Sequence, residues 1–199
     1  MPRTAEQFEE IREKTKQKIL ENSLRLLATK GYHGTSISDI AKASGISKGL
    51  AYNYFDSKQH LVESIFEQIL ELGTQYEKML DQEKDPFKKL INAIEFTFDY
   101  MEDNEEFWRL YVSFALQPTI METAKKITKS FNDRMIALMI HIFKQIGIPN
   151  PKAEAYILGG ILDGVSLDYF FDKENYPLEI VKKKLLEKYS KETLSKLKK

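Results

Sequence analysis

The chain has 199 residues, no cysteine, and 30 Lys/Arg balanced by 30 Asp/Glu. With 42% apolar residues it can bury a sizeable core, and the missing cysteines exclude a disulfide framework, a cysteine zinc or iron–sulfur site and a thiol nucleophile. Zero net charge excludes a globally basic coat for nucleic acid, so any such site must be local.

Taken in order, almost every segment spaces its apolar residues by three and four, the helical period, so the class is all-α with about nine helices. Gln7 to Lys30 forms a first helix with Ile19, Leu20, Leu24 and Leu27 inward and Gly31 as its stop. Ile37 to Ala43 and Ser47 to Tyr54 are two short helices. Ser57 to Leu80 is long, with an inward stripe at Leu61, Ile65, Ile69, Leu72, Tyr76 and Met79. Asp85 caps a helix whose first residue is Pro86, which has no N–H to lose there. Its stripe is Phe87, Ile91, Ile94, Phe98 and Met101; Asn104 to Gln117 follows with Phe107, Tyr111 and Phe114. After Pro118 comes a helix of nearly thirty residues ending at Gly147, and Ala153 to Phe171 and Pro177 to Tyr189 complete the set.

The charge is unevenly spread. Residues 1–60 carry a balance of +3, residues 61–120 of −8 and residues 121–199 of +5. A mildly basic first third beside an acidic middle suggests two regions with different surfaces, although solvated helix faces account for most of this charge. The N-terminal residues lack the apolar stretch of a signal peptide. The nearest approach to a membrane span, Ala153 to Phe171, is broken by Glu154, Asp163 and Asp168. A cytoplasmic protein without a membrane partner is expected.

The informative stretch is Gly34 to Lys58. Gly45 suits the left-handed turn that reverses a chain after a helix, Ala41 is small enough for two helices to cross closely, and Ser47 is placed to cap the second helix. This is helix–turn–helix geometry, in which the second helix enters a major groove. Its outward face offers Ser47, Lys48, Gly49, Leu50, Tyr52 and Asn53, followed by Tyr54 and Lys58. Ser, Asn, Tyr and Lys suit phosphate contacts, and Lys48 suits a guanine edge. Phe55 reads as core; Tyr54 reads equally as core or as a backbone contact. Asp39 reads as helix surface or a cap partner rather than a DNA residue, since phosphate repels a carboxylate.

Gly31-Tyr32, Thr35-Ser36, Asp39-Ile40-Ala41, Gly45 through Gly49, Tyr52 through Phe55, and Ser57-Lys58 with Leu61 form one ordered pattern that resembles the TetR family of transcriptional regulators. Ala51 and Leu27 depart from that pattern, standing where the family usually carries a larger apolar residue and Phe; both are core positions. The resemblance implies a three-helix head on a larger helical body in a homodimer, with a helix–turn–helix DNA-binding domain at 1–56 and a ligand-sensing and dimerisation domain at 57–199. It also implies that Ser36 and Ser38 lie near phosphate and groove, that Lys48, Gly49 and Leu50 face bases, and that Tyr52, Asn53, Tyr54 and Lys58 contact backbone.

Among the aromatic residues of the body, Phe96, Tyr100, Trp108 and Tyr111, with Met139, are the candidate walls of an effector pocket. Few cations fall inward, which favours a hydrophobic effector. Arg109 and His141 are candidate polar anchors, although a lone histidine on an apolar helix such as His141 is more often a hydrogen-bonded core group. The segment from Ala153 is apolar nearly all round, so it needs two partners, or a buried place in a monomer. Close approach of a second chain at Gly160, Gly164 and Leu167, with Val181 and Leu185 on the last long helix, would offset the helix propensity its glycines lose.

An enzyme is not expected. His33, His60 and His141 are far apart, no Glu-x-x-His motif occurs, and the Gly-x-Ser-x-Gly spacing of Gly45 to Gly49 falls in the turn between two short helices, not on the strand-to-helix elbow of a hydrolase. No metal or other cofactor is expected. The reading is a ligand-responsive repressor that binds a pseudo-palindromic duplex operator as a homodimer and is released by a small hydrophobic effector. An activator or a helical adaptor of the same fold is the alternative.

Overall fold

The computed structural model describes residues 4–196. Among them are ten helices and no strand: α1 (Ala5–Lys30), α2 (Ile37–Ser44), α3 (Lys48–Tyr52), α4 (Lys58–Gln82), α5 (Pro86–Asp103), α6 (Glu105–Ala115), α7 (Pro118–Ile146), α8 (Pro151–Phe171), α9 (Leu178–Lys188) and α10 (Lys191–Lys196). The short α10, in a Lys-rich stretch without clear periodicity, buries Leu194.

The ends of the helices follow local chemistry. Thr4 and Gln7 form a reciprocal capping box on α1, and Gly31 ends it at φ +75° with its N–H on the Leu27 carbonyl. Asp85 accepts the Phe87 N–H at 2.9 Å, and Pro86 opens α5. Asn150 accepts from the Ala153 N–H ahead of α8. Asp85→Ala should therefore lower the unfolding free energy by about 1 kcal/mol, read from urea titrations at one fixed protein concentration.

The chain divides into two compact units. The first runs to Leu70 and adds Arg109–Thr128; the second joins Glu71–Trp108 to the residues from Lys129 onward. The division differs from a cut at 56/57 because the α6–α7 segment packs with α1–α4: the Phe66 ring stacks on Phe114 at 5.4 Å and meets Tyr111 edge-on at 5.8 Å. Burial holds the Tyr111 hydroxyl up to about 12. Leu27 and Ala51, the two departures from the family pattern, are both buried.

The second unit has its main core on Leu90, Ile94, Phe98, Ile142, Phe143, Leu158, Leu185 and Tyr189. The Tyr189 hydroxyl donates to Glu154 at 2.7 Å. A smaller cluster holds Tyr76, Leu80 and Ala93, with Phe96, Met135 and Met139 against it. The stripe expected on α4 departs from the structure. Leu72 and Met79 are exposed, whereas Val62, Phe66 and Leu80 are buried. A long helix meets different neighbours along its length, so one stripe drawn from end to end drifts off the buried face.

Candidate nucleic-acid interface

The α2–α3 corner is built by residues that each satisfy a backbone requirement. Ser36 accepts the Asp39 N–H while the Asp39 carboxylate accepts both the Ser36 N–H at 2.9 Å and the Ser36 hydroxyl at 2.5 Å. Those bonds hold the Asp39 carboxyl below its ordinary range. Asp39 is thus a cap partner, as its charge suggested. Gly45 turns the chain at φ +69°, ψ +31°, a left-handed conformation that strains any side chain with a Cβ. Its N–H and that of Ile46 close onto α2 carbonyls. Ser47 then accepts the Leu50 N–H at 3.1 Å and starts α3. Ala51 is the buried residue of this short helix.

What α3 leaves outside is the surface read from the sequence. Ser36, Ser38, Ser47, Lys48, Gly49, Leu50, Tyr52 and Asn53 are all exposed, and Tyr54 is half-buried beside buried Phe55. Tyr52 is 44% exposed and Leu50 38%, so neither is a core residue of its own subunit. The Lys48 ammonium sits 6.0 Å from the Tyr52 ring centre, so cation and hydroxyl-bearing ring share one face.

Lys58 is placed otherwise. Its ammonium donates to the Tyr32 carbonyl at 2.5 Å and the Thr35 carbonyl at 2.9 Å, and lies 4.1 Å from the Tyr32 ring centre. It is half-buried and committed to the α1–α2 turn rather than directed to a phosphate. A lysine that the spacing alone had not joined to this surface stands nearby. The Lys18 ammonium, from α1, lies 3.7 Å from the place a Cβ on Gly45 would take. No local pattern in the sequence marks that contact.

The candidate pocket residues divide between the units. Phe96 lies in a column of rings, stacked on Tyr76 at 3.8 Å and on Tyr100 at 5.5 Å, and Tyr100 meets Trp108 edge-on at 5.7 Å. Met139 packs against the same small cluster. Burial raises the Tyr76 and Tyr100 hydroxyls above the ordinary tyrosine range. Tyr111 instead belongs to the unit of α1–α3, against Phe66. His141 is exposed rather than a core group, and Arg109 is exposed.

Along α8 and α9, Tyr156, Ile157, Leu167, Phe171 and Ile180 are exposed apolar residues. Gly160 is exposed and Gly164 half-exposed, and a Cβ at either would meet nothing within 4 Å. Leu185 departs from the expected interface: it is buried in the core of its own chain. Val181 packs partly on that core. The outward apolar residue of α9 is Ile180, one step from Val181, because the face of α9 turned to the core carries Leu178, Val181 and Leu185.

Among the described residues no group of His, Asp and Glu could hold a metal ion, and no helix is long and apolar enough to cross a membrane.

Residues 19–65 match the family model for bacterial regulatory proteins of the tetR family. The chain is 31% identical over 170 residues to the uncharacterized HTH-type transcriptional regulator YuxN of Bacillus subtilis, covering 78% of this chain and 54% of that protein. It is 37% identical over 108 residues to IcaR of Staphylococcus aureus, the HTH-type negative transcriptional regulator of the biofilm operon icaADBC, covering 52% of this chain and 55% of IcaR. The chain thus spans about half the length of these curated relatives. Its fold is similar to the regulator FadR of Bacillus subtilis, solved with stearoyl-CoA, at TM-score 0.71 and 18% identity over 87% of this chain and 96% of that one.

Proposed function

The chain belongs to the TetR family of bacterial transcriptional regulators, and from that premise we propose that it is a ligand-responsive repressor that binds a pseudo-palindromic operator as a homodimer. The observation that carries this reading is the open surface of α3. Its cap, its turn and its one buried residue are all satisfied within the subunit, which leaves Ser47, Lys48, Tyr52 and Asn53 for a duplex. Two such helices one helical turn apart fit successive major grooves. Residues 1–56 carry the DNA face in this reading, and residues 57–199 carry sensing and dimerisation. The sign of regulation follows IcaR, a negative regulator by its description.

The effector in this reading is small and hydrophobic. The stacked column of Tyr76, Phe96 and Tyr100 supports it, with Met139 alongside, because flat and soft apolar surfaces suit an apolar ligand. The acyl-CoA bound in the FadR structure is a ligand with a long apolar part. Its binding would favour a spacing of the two heads that no longer matches the grooves, by no more than its differential affinity for the two states. Such a regulator acts in the cytoplasm and binds no membrane.

The test begins with a random duplex pool from which the full chain selects its operator. Affinity for the selected duplex should fall steeply with salt, and Lys48→Ala should make the slope of log K against log salt shallower by about 1. A chain that selects no duplex at low salt would be an adaptor of the same fold. A selected site without two-fold symmetry would remove the dimeric reading.

A further inference from the structure

Gln117 lies between α6 and α7, outside the 19–65 segment that matches the family model, yet its side chain completes the end of α1. Its Nε2 donates to the Leu27 carbonyl at 2.8 Å, and its Oε1 accepts the Tyr32 N–H at 3.1 Å. The Leu27 carbonyl already accepts the Gly31 N–H, so Gln117 gives it a second donor, and the Tyr32 N–H just beyond the helix finds its acceptor in the same side chain. A primary amide can hold them together because it carries a donor and an acceptor side by side without charge. Ser113, one turn earlier, donates to the Ala28 carbonyl at 3.4 Å.

The stretch that Gln117 holds leads directly into the DNA face. Thr35 is buried and donates to the Gly31 carbonyl at 2.9 Å, Lys58 ties the Tyr32 and Thr35 carbonyls, and Ser36 is the cap of α2. Side chains from α4 and from the α6–α7 corner therefore fix the turn from which α2 and α3 depart. We propose that Gln117 is a positioning residue for DNA binding: it sets the angle at which the helix–turn–helix leaves α1 without itself touching DNA. The inference rests on the reading of α2 and α3 as the DNA face.

Three full-length chains test it: the wild type, Gln117→Ala and Gln117→Glu, with the labelled duplex selected by the wild type as the probe. A protonated glutamic acid offers a carbonyl acceptor and an O–H donor where the amide had its own pair, whereas the ionised form has no donor for Leu27. At pH 7.5 both variants should lose about tenfold in affinity, with the salt slope of the wild type. At pH 5, where about a sixth of glutamic acid side chains of ordinary acidity are protonated, Gln117→Glu should lose about fourfold rather than tenfold relative to the wild type at that pH, while Gln117→Ala should still lose about tenfold. Hydrogen exchange at the Tyr32 amide, measured on the free protein, should run about tenfold faster in Gln117→Ala.

Faster exchange with unchanged affinity would make the clamp purely local and overturn the proposal. A shallower salt slope would overturn it too, because Gln117 would then lie against phosphate. Equal losses for Gln117→Glu at both pH values would also overturn it, and that comparison within one variant stands even if Gln117→Ala folds poorly. A wild type that selects no duplex would instead fail the reading of the DNA face, and the inference would fall with it.

Discussion

Replacing Gly160 and Leu167 together by arginine is expected to leave a folded monomer whose affinity for the selected duplex is at least about 100-fold weaker. The fold should survive because a Cβ at Gly160 meets nothing within 4 Å and Leu167 is exposed. Arginine is moreover a better helix former than glycine, by up to about 1 kcal/mol. Association should not survive. These two residues share an exposed stretch of α8 with Tyr156, Ile157 and Phe171, the last 87% exposed, and Ile180 on α9 is 66% exposed. Apolar side chains gathered this way mark an interaction surface, and two guanidinium groups inside it would have to be desolvated without partners. In the proposed homodimer, losing the partner would remove the second head from each binding event, which is the source of the large effect. Sedimentation at micromolar concentration, circular dichroism and duplex titration separate the three consequences. Leu185→Ala is the contrasting variant: it should destabilise the chain by about 2–5 kcal/mol, because Leu185 belongs to the subunit's own core. A Gly160/Leu167 double variant that sediments as a dimer would remove this face as the interface.

The parts of the molecule that were legible in the sequence are those encoded over a few residues. Gly31, Gly45, Ser47 and the Asp85-Pro86 pair act as helix stops, turn and caps because their requirement is local. The exposed surface of α3 followed from the same signals. The α4 stripe did not, since the exposure of Leu72 and Met79 depends on which elements lie beside each part of a long helix. On α9 the sequence offers two apolar faces, and only packing decides that Leu185 turns inward while Ile180 turns outward. Gln117 and Lys18 were invisible for another reason. Gln117 bonds backbone groups, which carry no sequence signature, and Lys18 lies beside a glycine.

Lys58 and Lys48 look alike in the sequence, since the family resemblance assigns both to DNA, and their substitutions should nevertheless separate cleanly. Lys58→Met should lower the unfolding free energy by about 2–3 kcal/mol, because the Tyr32 and Thr35 carbonyls each lose a charge-assisted hydrogen bond, worth about 1.5–3 kcal/mol where burial is complete. The site is half-buried, so water recovers part of that loss. The contact with the Tyr32 ring at 4.1 Å goes with it. Methionine keeps the length of the side chain, which confines the change to the ammonium. The salt slope of duplex binding should stay at the wild-type value, since a phosphate never faced this lysine. Lys48→Met should do the reverse: its side chain is exposed, its loss should change stability by less than about 0.5 kcal/mol, and the slope should become shallower by about 1. Urea titrations at one fixed protein concentration give the first quantity and duplex titrations across a salt series give the second. If Lys58→Met instead makes the slope shallower and leaves stability alone, then in the bound state this ammonium leaves the α1–α2 turn for a phosphate.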